Sequence, residues 1–357
     1  MPANRLYHTW SVRIRQLCPK GRKTLIHNFT WLLIGIYFSG KVHLSLIANK
    51  IPGSAKLPSK VQRLRRLLQN RHIRVRTWYG PIAKALLESQ AQHGPIRLIV
   101  DGSKVSFHHQ LLMVSIAYRR RAIPIAWTWV QGKRGHSSSI KQLALLRYVR
   151  KLVPQEAEVS VVGDCEFGAV AVMRQLDAWQ WRYVLRQKGD TLIDRTLHNH
   201  WQRFDRVLHS DGESKWVGSA FLTKEHVYPT QLLAYWKQGE KEPWLLATSF
   251  PTERETLRAY RRRMWIEEML GDFKGHGFNL EDSHLRHFLR LSRLTLAVVL
   301  LYVWLVSFGS RVIKNGQRSL VDRPDRRDYS IFRIGLNMIE RLLTNAQPIS
   351  IMLVPYF

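Results

Sequence analysis

The chain has 357 residues, enough for two or three structural units around one substantial core. Lys and Arg number 56 against 26 Asp and Glu, a net charge of +30 that argues against an indifferent surface and for a polyanionic partner, nucleic acid before an acidic membrane. Cys18 and Cys165 are too few for a disulfide scaffold or a four-cysteine zinc site, and suit a reducing cytosol.

Residues 1–92 read as mostly helical, with a polar, basic start that lacks the apolar core of a cleavable signal. The segment 60–70 puts Val61, Leu64, Leu67 and Leu68 on one stripe and Lys60, Arg63, Arg65 and Arg66 on the opposite face. No acidic residue occurs from Lys56 to Arg76, so Arg63 and Arg66 are expected to contact DNA phosphates rather than to form a merely solvated face.

From Pro95 the pattern becomes β-rich. Ile96 to Asp101, Leu111 to Tyr118 and Ala122 to Val130 predict an antiparallel meander, with a basic turn at Arg119, Arg120 and Arg121. A loop with Lys133 and Arg134 leads to a helix over 138–152; these two are secondary candidates for phosphate contact. A strand at 158–162, a helix at 167–179 and a strand at 181–186 complete an α/β unit with a mixed sheet, in the order of an RNase H-like core. Residues 189–243 look like β structure and loops, and Trp244 to Thr248 gives one more strand. A long helix is expected over 253–274, an apolar one over 283–308 and an amphipathic one over 331–343. The apolar stretches Phe29 to Ser39 and Thr295 to Phe308 are too short for comfortable membrane spans and read as buried helices, so no membrane partner is expected.

Asp101 and Asp164 each follow an apolar strand. Alone, either would more simply cap a turn. Together, two strands delivering carboxylates to one sheet edge make a site for a hard divalent cation. On the helix at 253–274, with Tyr260 at zero and about 100° per residue, Arg263, Glu267 and Lys274 fall at about 300°, 340° and 320°. The apolar residues Trp265, Ile266, Met269, Leu270 and Phe273 take the other side. Glu267 and Lys274 are two turns apart, unlike a surface ion-pair stripe. Glu166 is a rival ligand or outer neighbour of Asp164, whereas Glu268 points about 100° away from Glu267. His284 and His287 read as surface or DNA-facing groups, and Cys165 as a small buried residue.

The spacing Tyr260-x2-Arg263-x3-Glu267-x6-Lys274 resembles the Y-R-E-K signature of DDE transposases from bacterial insertion sequences, the IS-four group, with Asp101 in Ile-Val-Asp-Gly-Ser and Asp164 in Val-Val-Gly-Asp at the matching places. The resemblance covers about 93–310. It implies an RNase H-like catalytic core (93–188 and 244–312), interrupted by a β-rich insertion (189–243) and preceded by a helical N-terminal DNA-binding region (1–92), with a tail from 313 suited to protein contact.

It also implies catalysis by Asp101, Asp164 and Glu267 holding two Mg²⁺ ions, with Mn²⁺ as substitute, and Asp101 as the bridging ligand. Arg263 and Lys274 would neutralise phosphate, Tyr260 would position one, and Trp244 would stack on a flipped base if the excised end passes through a hairpin. The implied partner is double-stranded DNA, element ends and target, held by a homodimer in a cut-and-paste reaction in the bacterial cytoplasm. The rival expectations are a catalytically inactive DNA-binding regulator and an RNase H-like cellular nuclease.

Overall fold

The computed structural model describes residues 2–105, 109–131 and 137–357. Its elements are α1 (Pro2–Leu17), α2 (Lys23–Ser39), α3 (Leu44–Asn49), α4 (Leu57–Gln69), α5 (Val75–His93), β1 (Ile96–Val105), β2 (His109–Tyr118), β3 (Arg121–Gln131), α6 (Ser139–Arg150), β4 (Val159–Gly163), α7 (Val170–Ala178) and β5 (Arg182–Arg186). There follow β6 (Leu192–Asp194), β7 (Gln202–Arg203), β8 (Ser214–Leu222), β9 (Tyr228–Tyr235), β10 (Trp244–Thr248), α8 (Glu253–Tyr260), α9 (Met264–Phe273), α10 (Phe288–Lys314) and α11 (Ile331–Thr344).

All ten strands form one mixed, mostly antiparallel sheet, in the order β3-β2-β1-β4-β5-β10-β9-β8-β6-β7. Strand β4 is parallel to both β1 and β5; the other pairings are antiparallel. The β-rich residues after β5 therefore do not build a separate layer. Strands β9, β8, β6 and β7 continue the sheet outward from β10.

The hairpin between β2 and β3 turns on Arg119 and Arg120, both with positive φ (43° and 63°), the backbone that a tight two-residue turn demands and usually obtains from Asn or Gly. Pro124 lies in the edge strand β3 beside a bulge, where its missing N–H costs no ladder bond, and its carbonyl accepts from the Tyr79 hydroxyl at 2.5 Å.

The core is organised around α10. It begins later and ends later than the apolar run suggested, at Phe288 and Lys314. Its length and apolar character would allow a membrane crossing, yet 83% of the most apolar stretch is buried inside the protein. It packs on β3, on α2, α4 and α5, and on α11. Trp304 stands edge-on to Trp10 at 5.4 Å, and its indole N–H donates to the Ser350 carbonyl. Helices α10 and α11 cross where Gly309 and Gly335 face each other; a Cβ on Gly309 would lie 2.0 Å from the Ile331 carbonyl oxygen, and one on Gly335 1.9 Å from that of Leu305.

The expected continuous helix over 253–274 is two helices joined by a 3-10 turn, Arg261–Arg263. Residues in a 3-10 turn advance about 120° instead of about 100°, so the turn rotates α9 relative to α8 and breaks up the single row of signature side chains. Thr252 caps α8 by accepting from the Glu255 N–H. The helix expected over 167–179 starts later, at Val170, after a 3-10 turn at Cys165–Phe167.

Candidate active site

The parallel register of β1 and β4 sets the site. Val100 pairs with Gly163, so Asp101 and Asp164 are the next residues along two neighbouring strands. Parallel partners point to the same face and sit about 5 Å apart, so the pairing brings together two carboxylates from residues 63 apart in sequence, Asp164 just past the end of β4 and Asp101 within β1, which runs on to Val105 instead of ending at the acid. Asp164 then caps the following 3-10 turn, accepting from the Glu166 N–H at 3.0 Å. The Asp101 carboxylate accepts from the Gly102 N–H at 2.7 Å.

The 3-10 turn at 261–263 packs on β1 and β4, and α9 packs on β1, β2 and β3. Arg263 is thereby placed between the acids. One guanidinium nitrogen is 3.5 Å from Asp101, and the other bonds Glu267. Burial opposes the charge on Arg263, but Tyr260, Asp101, Glu267 and Asp164 outweigh it and raise the pKa. The structure thus brings Asp101, Asp164, Arg263 and Glu267 together.

Asp101 is 7% exposed and its carboxyl is pushed up to about 7. Burial is the main cause; Arg263 and the Gly102 N–H pull it down, while Asp164 and Glu267 push it up. The acids therefore hold more negative charge than one arginine balances. That deficit, with carboxylate oxygens as the donors, fits a hard divalent cation. Among the described residues no three His, Cys, Asp or Glu side chains already surround one metal position. The ion pair explains this: Glu267, exposed over 43% of its side chain, is held by Arg263.

The other signature residues are placed differently from the expected row. Tyr260 is 2% exposed, with its ring edge-on to Trp244 at 4.9 Å; burial raises its pKa to about 12, with Arg263 and Arg186 pulling the other way. Lys274 ends α9 and is engaged elsewhere: its ammonium donates to the Lys104 carbonyl at 3.2 Å and pairs with Glu281 at 2.7 Å. Trp244, half-buried at the start of β10, has Tyr235 on one side and Tyr260 on the other. Beside it is a cavity of about 420 Å³, lined by Tyr235, Lys237, Glu240, Arg261 and the exposed Met264. Lys133 and Arg134 lie outside the described residues.

The basic helix expected at 60–70 is α4, but its cations do not share one face. Arg63 and Arg66 line a large cleft with residues of α2 and α5, while Arg65 lines a smaller one with His43, His284 and His287. The Lys60 ammonium donates to the Ile51 carbonyl at 2.6 Å. His284 also contacts Asp282 at 3.2 Å. Cys165 is half-buried rather than fully buried, and burial raises its thiol pKa.

Glu166 acts as a brace. Its carboxylate accepts from the Ser137 N–H at 2.6 Å, from the Ser137 hydroxyl at 2.5 Å and from the Gln110 amide at 2.8 Å. Gln142 donates to the Glu166 carbonyl at 3.0 Å. A Cβ on Gly102 would lie 2.2 Å from the Gln110 amide nitrogen and 2.8 Å from the Glu166 carboxylate, so a side chain there would have to displace this contact. Gln110 and Gln142 carry no motif, and sequence reasoning missed them; each stands beside a basic residue, His109 or Lys141, at the polar start of an apolar run, which gives no signal of its own. Also missed was Arg121, which pairs with Glu268 at 2.6 Å and approaches Asp272 at 3.3 Å, fastening α9 to β3.

The family model for the transposase DDE domain matches residues 92–304, the stretch from the end of α5 through most of α10. The chain belongs to the DDE transposase family. It is accordingly a DNA transposase, and the matched stretch contains Asp101, Asp164 and Glu267. No curated protein matches the sequence. Among solved structures, the cryo-EM structure of the piggyBac transposase synaptic complex with hairpin DNA is similar over 96% of this chain and 77% of that one, at 11% identity and a TM-score of 0.43.

Proposed function

We propose that this DDE transposase cuts element ends and joins them to target DNA by a cut-and-paste route, with Asp101, Asp164 and Glu267 of an RNase H-like core holding a pair of Mg²⁺ ions. The observation that carries the reading is the register that sets Asp101 beside Asp164, with Asp101 and Glu267 both tied to the half-buried Arg263. The core assignment is supported by the order β3-β2-β1-β4-β5, an antiparallel meander followed by two parallel strands. When bound, divalent ions of this kind activate an oxygen nucleophile and steady the leaving oxygen at phosphorus.

In the first displacement, water forms a bond to phosphorus as the bond to the 3′ oxygen breaks, releasing a 3′ hydroxyl. That hydroxyl then attacks a second phosphodiester and displaces its 3′ oxygen. Arg263 restrains Asp101 and Glu267 until cations replace it, and is then free for a phosphate oxygen. Tyr260, buried against Trp244, fixes the floor of the site. Lys274 anchors the end of β1 and can reach a phosphate only by leaving Glu281. The cavity beside Trp244 is suited to an extruded base, with the indole as stacking surface and Arg261 near its phosphate, while Lys237 on the same wall is paired with Glu240 at 3.2 Å. Such a base would accompany a hairpin at the excised end. The ends would be paired in a homodimer, and the N-terminal helices, with Arg63 and Arg66, would bind double-stranded DNA.

Asp101→Ala, Asp164→Ala and Glu267→Ala should each lower Mg²⁺-dependent cleavage of an end-containing duplex by a factor of about 10² or more while still binding it. Near-normal cleavage by any one of them removes that residue from the site. Trp244→Ala should slow the second-strand or hairpin step more than the first nick; equal slowing of both assigns the ring to packing alone.

A further inference from the structure

The two acids on neighbouring strands each accept from a backbone N–H, Asp101 from Gly102 at 2.7 Å and Asp164 from Glu166 at 3.0 Å. Both donors are keyed to one point. The Glu166 carboxylate accepts from the Gln110 amide at 2.8 Å, and this contact lies against Gly102, where a Cβ would be 2.2 Å from the Gln110 nitrogen and 2.8 Å from the Glu166 oxygen. The other Glu166 oxygen accepts from the Ser137 N–H at 2.6 Å and from its hydroxyl at 2.5 Å, and the Glu166 carbonyl accepts from Gln142 at 3.0 Å. Residue 166 is thereby fastened to β2, to the approach to α6 and to α6 itself.

The donors on the Glu166 carboxylate are all neutral, and both its oxygens are engaged, so a cation could be bound only by breaking these bonds. Gln110 and Gln142 are each 2% exposed, and among the described residues their amide oxygens have no partner. A buried acceptor left unmade costs stability, so a fastening that served stability alone would be better built from apolar side chains.

We propose that Glu166 is a positioning residue: it aims the Asp164 carboxylate at the cation site and does not itself bind the cation. The proposal rests on the reading that Asp164 is a metal ligand. A hydrogen bond restrains the Asp164 torsions only as far as its donor is itself fixed, and here the donor belongs to a residue anchored from three elements. Loosening Glu166 lets Asp164 swing, and partners of this kind typically matter by a factor of about 10 to 10² in metal affinity or rate.

Two readouts on the full-length protein test this: Mn²⁺ binding without DNA, followed by the paramagnetic resonance of the free ion, and the rate of the first nick at saturating Mg²⁺. Glu166→Ala should weaken the one and slow the other, each by about 10 to 10². Glu166→Gln should restore both to within about threefold of wild type, because its amide oxygen still accepts from Ser137 and the Gln110 amide can turn over to meet its nitrogen. A metal ligand would be lost in both variants, so a Gln variant as impaired as the Ala variant overturns the proposal; so does an Ala variant that behaves as wild type. Ser137→Ala removes one donor to Glu166 without touching either acid. It should slow the nick about threefold, Ser137→Thr should recover most of that, and Ser137→Ala should add little to Glu166→Ala. Additive losses would equally overturn the proposal, and this comparison decides it if Glu166→Ala does not fold. An Asp164→Ala protein that still cleaves would sink the metal site; an inactive Asp164→Ala beside a normal Glu166→Ala would sink the positioning role alone.

Discussion

Arg263 sits at the electrical centre of the site, between Asp101 and Glu267. Arg263→Gln should release both carboxylates, leaving three acids with no internal counter-charge. Apparent Mg²⁺ affinity, read from the cleavage rate against Mg²⁺ concentration, should then rise while the maximal rate falls about tenfold or more; an unchanged Mg²⁺ midpoint would show that the arginine does not compete with the cation. A second residue-scale test concerns Asp272, which is 4% exposed, with its carboxyl raised to about 6 chiefly by burial, although Arg121, His276 and Arg333 oppose that rise.

The folded state therefore holds the Asp272 proton more tightly than the unfolded chain does. Its ionised form is penalised above pH 6, the penalty fades as pH falls toward 4, and below that both states are protonated. Asp272→Asn should consequently be more stable than wild type at pH 7, by up to about 3 kcal/mol, and equal to it near pH 4. A stability difference that does not change with pH in thermal melts would refute this.

At the scale of elements, the strands were the most legible part of the chain. Apolar runs such as Ile96 to Val100 and Trp244 to Thr248 leave few alternatives, and a carboxylate directly after Ile99-Val100 and another after Val162-Gly163 could be read from them, although β1 runs on past Asp101 to Val105. What the sequence hid were features decided by tertiary packing. Three consecutive arginines at 261–263 have good helix propensity, yet the segment tightens to 3-10 where Arg263 turns toward Asp101. Helical periodicity therefore grouped four side chains of which Tyr260 and Glu267 stay in electrostatic reach of Arg263, while Lys274 is turned to Lys104 and Glu281. The strands after β5 were legible as β structure, but their joining of the main sheet was not, because register with β10 is a long-range property.

The glycine pair between α10 and α11 was equally silent, since a glycine in an apolar helix announces no partner. Gly309→Ala or Gly335→Ala should lower stability by about 2 kcal/mol or more, because a methyl would occupy the space of a backbone carbonyl. An unchanged melting temperature would mean that the helices part without cost.

For the molecule as a whole, the N-terminal helices and the sheet share one interior, since α10 touches both. Heat unfolding followed by far-ultraviolet and tryptophan signals should therefore give one coincident transition; an earlier melting step confined to residues 1–92 would show two independent units. The +30 charge, legible at once as a mark of a polyanionic partner, proves to be distributed unevenly, with two separate cationic clefts flanking α4. Helical periodicity could place Arg63, Arg65 and Arg66 on one polar surface, but not show that neighbouring helices would divide it.

The central position of α10 has a consequence for how the chain is made. Helices α1, α2, α4 and α5 are synthesised first, yet the surface they close upon belongs to a helix that ends at Lys314. Through most of translation their oily sides have no permanent cover. A newborn chain of this kind must be shielded by a chaperone or by makeshift pairing among its own helices, and a ribosome stalled before residue 288 would release a sticky fragment rather than a small folded DNA-binding piece.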